Sequence, residues 1–123
     1  SANTLTSNEL CQEFKNDGEE AGERYTRNRV IVSGEMSNIK STYNYWSIRL
    51  SCNSKETSFK AVSLRVDNEY SEQLKPLEKS LDNLRDDSDL TWVRSNKGSD
   101  IQFSCKYDKT NKLGVYLKEC RIY

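Results

Sequence analysis

The sequence predicts a mainly β domain: a five-stranded barrel with one helix ahead of it and a second helix between strands three and four. Three observations carry this expectation. Apolar residues follow a helical period up to Tyr25 and a period of two from Asn28 onward. A second helical pattern, Leu74, Leu77, Leu81 and Leu84, interrupts the strands after Val66. The chain then closes on "IQFSCKYDKTNKLGVYLKECRIY", two extended stretches around a polar, lysine-rich turn.

The first helix is expected over residues 6–25. Thr6, Ser7, Asn8 and Glu9 match a capping box, in which the Thr hydroxyl and the Glu carboxylate satisfy orphan N–H groups reciprocally. Leu10, Cys11, Phe14, Ala21 and Tyr25 then share one side and are expected to pack on the barrel. Gly18 and Gly22 flank that stripe, and a glycine inside a helix costs about 1 kcal/mol. They mark either close packing against another element or a break near Asp17 and Gly18.

Three half-buried strands follow. "RVIVSGEM" sets Val30, Val32, Gly34 and Met36 on one face, with Gly34 marking a bulge or sharp bend. "YWSIRLSC" sets Trp46, Ile48 and Leu50 against Tyr45, Ser47 and Arg49, which places Trp46 in the core. "KAVSLRV" aligns Val62, Leu64 and Val66. Pro76 fits the first position of a helix over about 76–85, and "RDDSD" ends it. "LTWV" is a short extended piece, and Lys97, Gly98, Ser99 and Asp100 turn the chain into the closing hairpin. Ile101, Phe103, Cys105 and Tyr107 share a face of its first strand. Val115 and Leu117 are out of phase with Cys120 and Ile122, so a bulge is expected near Lys118 and Glu119.

Helix, three strands, helix, two strands is the order of a five-stranded OB-fold barrel, whose closure removes exposed strand edges. No internal repeat or linker divides the chain, so one domain is expected over residues 1–123.

Composition narrows the function. Nineteen Lys and Arg balance nineteen Asp and Glu, so no global field draws in nucleic acid or anionic lipid. Mean hydropathy is −0.91, yet two Trp, seven Tyr and three Phe argue against disorder. No apolar run is long enough to cross a bilayer. The opening "SANTLTS" is polar; it fits the start of a mature chain after cleavage, or an expression scar.

Histidine is absent, which removes the commonest general base and the usual partner of a nucleophilic Ser or Cys. Neither catalysis nor a cofactor or metal is expected. Four cysteines, Cys11, Cys52, Cys105 and Cys120, show no C-x-x-C spacing. An even, dispersed set fits two disulfides and an oxidising compartment, with three connectivities open.

The binding candidates are Tyr43, Tyr45 and Arg49, in "STYNYWSIRL", because OB-folds recruit ligands over strands two and three and the flanking loops. Aromatic residues there can stack bases at about 1–3 kcal/mol each. Tyrosines also close barrel ends, a plainer role for the same residues. Arg24, Arg27 and Arg29 lie together, but Glu19, Glu20 and Glu23 make a solvated helix end the better reading than a phosphate site. Asp86, Asp87 and Asp89 lack the spacing of a calcium loop.

Leu10, Phe14, Asn16, Ala21, Tyr25 and "RVIVSGEMSNI", with "KGSDIQFSCKY" and "GVYLKECRI", resemble the tRNA_anti-like family of small bacterial OB-fold proteins, from about Leu5 to Tyr123. The resemblance implies an exported or lipid-anchored protein at the cell envelope. The family's name reflects likeness to an anticodon-binding barrel. Members commonly carry one cysteine on the fourth strand and one on the fifth, which implies a Cys105–Cys120 bond and leaves Cys11 to Cys52. Symmetric pairing about residues 109–112 would set Cys105 opposite Tyr116 or Leu117, so the expected bulge must shift the register. Cys11 lies within the helical stripe and is not expected to carry lipid. The expected function is a non-enzymatic, periplasmic or envelope-anchored module that contacts a protein or envelope component. The alternative is a single-stranded nucleic-acid-binding protein.

Overall fold

Strand burial follows the alternation in the sequence. The computed structural model describes residues 3–87 and 101–123. Among these, the strands are β1 (Asn3–Thr6), β2 (Val30–Ser33), β3 (Met36–Ser41), β4 (Tyr45–Ser51), β5 (Ala61–Asp67), β6 (Phe103–Asn111) and β7 (Gly114–Ile122). The helices are α1 (Ser7–Asn16), α2 (Gly18–Arg27), the single turn α3 (Ser54–Thr57) and α4 (Ser71–Asp87). The strands form one sheet in the order β1-β2-β6-β7-β5-β4-β3. Trp46, Ile48 and Leu50 of β4, Val62, Leu64 and Val66 of β5, and Phe103, Val115 and Leu117 are all buried in one core.

The mainly β class holds, but the described strands number seven rather than five. The segment expected as one strand from Arg29 to Met36 is split at Gly34 and Glu35. Its first half pairs with β6, with Val30 opposite Cys105, and its second half with β4, with Ile39 opposite Ile48. Two residues therefore tie the ends of the run β2-β6-β7-β5-β4-β3, which curls the sheet. Gly34 makes the bend possible, since a Cβ there would collide with the Ser7 side chain and lie 3.5 Å from Leu50 Cβ. The remaining extra strand is β1, parallel to β2 with Leu5 opposite Val32. It was illegible because Leu5 is the one large apolar residue in a polar stretch.

The helix expected over 6–25 is two helices. Thr6 and Glu9 do form the capping box: Glu9 N donates to Thr6 Oγ1 at 3.1 Å, and Thr6 N donates to Glu9 Oε1 at 2.9 Å. Asp17 breaks the run. Its N–H closes α1 on Glu13 O at 3.0 Å, and its carboxylate caps α2 by accepting from Glu20 N at 3.1 Å. An Asp side chain competes with the backbone in this way wherever the chain can turn. The apolar stripe survives the break, because Leu10, Cys11, Phe14, Ala21 and Tyr25 all reach the core. Phe14 stacks on Tyr25 and Tyr107, with centroids 6.0 and 5.3 Å apart.

The second long helix begins at Ser71, five residues before Pro76. Pro76 lacks an N–H and disfavours an interior position. The burial of Leu74 and a hydrogen bond from Trp46 Nε1 to Ser71 Oγ at 2.9 Å favour the earlier start. "LTWV", Lys97 to Asp100 and Asp89 lie outside the described residues, as do the side chains of Asp86 and Asp87.

In the closing hairpin the turn is at Lys112 and Leu113, later than symmetry about residues 109–112 required. Two irregularities follow. One sits at Asp108 in β6, the other at Glu119 and Cys120 in β7, and they cancel. The bulge expected at Lys118 and Glu119 is thus present, and Glu119 takes the left-handed conformation (φ 47°). It restores a register that Asp108 had displaced. Cys105 and Cys120 are bonded, with Cα atoms 4.1 Å apart, and Cys11 is bonded to Cys52 at 6.3 Å.

Candidate ligand-binding face

The residues that alternate with the buried rows of β4 and β5 form the outer face of the sheet. Strand register lines them up. Arg49 lies opposite Ser63, Ser63 beside Tyr116, and Tyr116 opposite Lys109, making one row across four strands. In the next row Ser47 faces Arg65, and beyond it Tyr45 faces Asp67. Ser47 and Ser63 are small, so the larger Tyr45, Arg49, Arg65, Asp108, Lys109 and Tyr116 surround a hollow of about 180 Å³. A second hollow of about 230 Å³ continues past Arg49 and Tyr116 to Lys60 and Leu113.

Cations sit over both rings. The Arg65 guanidinium is 4.9 Å from the Tyr45 ring centroid, and Lys109 Nζ is 5.3 Å from that of Tyr116. Such pairs orient long side chains that would otherwise sample many rotamers. Among the described residues, none of Arg49, Lys60, Arg65 or Lys109 is ion-paired. The face thus sets four cations, Arg49, Lys60, Arg65 and Lys109, beside aromatic surface with one carboxylate, Asp108, on the wall of the first hollow, although the whole chain is neutral. Thr42 holds the β3–β4 turn that sets Tyr45 in place: its N–H donates to Tyr45 O at 2.8 Å, and Tyr45 N donates to Thr42 Oγ1 at 3.2 Å.

Of the three candidates, Tyr45 and Arg49 line the first hollow. Tyr43 does not; it is 96% exposed on the turn above them. Arg65, Tyr116, Lys109 and Lys60 were missed. Period two alone places Arg65 outward between Leu64 and Val66, and Tyr116 between Val115 and Leu117. Only strand pairing reveals that they adjoin Arg49.

The arginines of "ERYTRNR" have other work. Arg24 pairs with Glu13 at 3.2 Å, and the Glu13 carboxylate raises its pKa. The Tyr25 hydroxyl donates to the same carboxylate; burial, then that bond, pushes its pKa well above the ordinary value. Arg29 crosses to the hairpin. Its Nε donates to Ser104 Oγ at 2.9 Å, and its Nη2 to Ser104 O at 2.6 Å and Glu119 O at 2.7 Å. Burial lowers its pKa, with Arg121 adding to the effect. Among the described residues, no cluster of Cys, Asp or Glu is placed to hold a metal ion, and no helix is long and apolar enough to cross a membrane.

The chain is a curled β sheet with cations and aromatic rings on its open outer face. The chain belongs to the tRNA_anti-like family, whose model matches residues 1–121. Its fold is similar to a crystal structure from Klebsiella pneumoniae subsp. pneumoniae MGH 78578, described as a "putative nucleic acid-binding lipoprotein". That likeness has a TM-score of 0.58 at 12% identity and covers 97% of this chain and 90% of the other. A comparison with curated proteins finds no match.

Proposed function

We propose that this chain is an exported OB-type binding module, a single domain without catalytic activity, that holds single-stranded nucleic acid across the outer face of β4, β5 and β7. The observation that carries the reading is the four-strand row of Arg49, Ser63, Tyr116 and Lys109, with Arg65 over Tyr45 beside it. Unpaired cations suit phosphates, and the adjacent rings suit bases, which stack without regard to sequence. The description of the Klebsiella lipoprotein points the same way. Composition favoured a protein or envelope component first. The face offers such a partner less, because its exposed apolar residues Tyr43 and Leu113 stand at opposite ends of β4 and β5. Two disulfides and the likeness to a lipoprotein support export to the periplasm or a lipid-anchored place at the envelope. The absence of histidine supports binding without turnover.

Fluorescence anisotropy with a labelled single-stranded oligonucleotide tests the reading. Arg49→Ala/Arg65→Ala should weaken binding by about tenfold or more, as expected for two lost charged contacts of at least ~0.7 kcal/mol each. Unchanged affinity in a folded double variant would exclude this face.

A further inference from the structure

The two disulfides differ in who can reach them. Cys105 and Cys120 are both fully buried. A cleft of about 380 Å³ touches Cys120, yet that residue exposes no surface. Cys11 is likewise fully buried, inside α1. Cys52 is different. It is half-buried and lines an open cleft of about 450 Å³ with Ser7, Ser33, Gly34, Ser51 and Asn53. Cys11 is not part of that wall.

Thiol–disulfide exchange needs a thiolate to approach one sulfur along the line of the bond, so access selects both the bond and the sulfur attacked. We propose that Cys52 is a thiol-exchange site, at which an external dithiol opens the Cys11–Cys52 bond while Cys105–Cys120 stays closed. A thiolate of the dithiol attacks Cys52 Sγ, forming a mixed disulfide. The Cys52–Cys11 bond breaks, and Cys11 leaves as a thiolate that takes up a proton. The second thiol of the dithiol, after losing its proton, attacks its own partner sulfur in the mixed disulfide. Cys52 is released as a thiolate, which takes up the second proton lost by the dithiol. The dithiol ends as a cyclic disulfide, oxidised by two electrons, and the protein pair ends as two thiols.

The surroundings of the bond let the fold survive its opening. Ser7 Oγ donates to Ser51 O at 2.6 Å, and Asn53 N donates to Asn8 Oδ1 at 2.7 Å. These contacts hold the start of α1 against the end of β4 on either side of the cross-link. They also keep the two thiols close enough to reoxidise. The segment released at one end leads to the binding face: Cys52 N donates to Lys60 O at 3.2 Å, and Lys60 N to Leu113 O at 2.8 Å.

Native protein is treated with dithiothreitol, quenched at intervals by alkylation, and mapped by peptide mass spectrometry. Cys11 and Cys52 should be labelled at least about tenfold faster than Cys105 and Cys120, with circular dichroism unchanged. A parallel incubation with glutathione, a monothiol, should leave the adduct on Cys52. Equal rates for the two bonds, faster opening of Cys105–Cys120, resistance of both bonds, free thiols before treatment, or the adduct on Cys11 would each overturn the proposal. None of these results depends on whether the outer face binds nucleic acid.

Discussion

Gly34→Ala probes the bend that splits the first long strand. A methyl group there would enter the space of the Ser7 side chain and sit 3.5 Å from Leu50 Cβ. Ser7 is only 2% exposed, and its hydroxyl is held toward Ser51 O. The substitution must therefore push Ser7 aside and break its 2.6 Å hydrogen bond to Ser51 O. Overpacking of this kind costs about 1–3 kcal/mol. A lost hydrogen bond adds about 0.5–1.5 kcal/mol. The expected destabilisation is about 2–4 kcal/mol, read as a lower midpoint in urea followed by tryptophan fluorescence with the disulfides intact. A double-mutant cycle isolates the cause. Ser7→Ala alone should cost about 1 kcal/mol, because it removes only the hydrogen bond. In Gly34→Ala/Ser7→Ala the colliding oxygen is gone and the bond is lost once, so the pair should cost at least ~1 kcal/mol less than the two singles summed. Strict additivity, or a Gly34→Ala protein within about 0.5 kcal/mol of the wild type, would refute the account of the bend.

Three further outcomes follow from the packing. Phe14→Ala should cost about 3–5 kcal/mol in the same denaturation, since the ring is buried between Tyr25 and Tyr107; a wild-type midpoint would mean that α1 is a loose appendage. Arg29→Met should cost about 2 kcal/mol and speed amide exchange around Glu119, because it removes three hydrogen bonds that brace the bulge. Exchange confined to its wild-type rate would show that the bulge holds itself. Tyr25 has a folded pKa raised above its unfolded value of 10.0, so the unfolded state loses its proton first. Its contribution is fully present below about pH 10 and is lost as pH rises further, and Tyr25→Phe should make the decline shallower; identical slopes would remove Tyr25 as the cause.

Much of the fold was legible because one face of each strand is buried. The rows Trp46-Ile48-Leu50 and Val62-Leu64-Val66 could be read from period two alone. Gly34 announced its bend, and the phase change after Leu117 announced the bulge at Glu119. What failed depends on pairing. β1 carries almost no apolar signal and forms because α1 and α2 return the chain beside it. The Asp108 irregularity leaves no mark on the apolar pattern, since Asp108 and its neighbours face solvent or half-face it. The candidate face was half-legible for the same reason. Tyr45 and Arg49 share a strand with a clear outward side, whereas Tyr116 and Lys109 join them from sequence positions sixty or more residues away. Local pattern places a residue on a face; it does not say which strand lies next to it.

The salt dependence of oligonucleotide binding tests the central claim most directly. If Arg49, Arg65 and Lys109 each neutralise one phosphate on this face, log K should fall linearly with log salt, with a slope near −2 for single strands. The Arg49→Ala/Arg65→Ala protein should show a slope near −0.7, having kept one such contact. No measurable binding, or an affinity indifferent to salt, would contradict the account and return the face to the protein or envelope partner that composition first suggested.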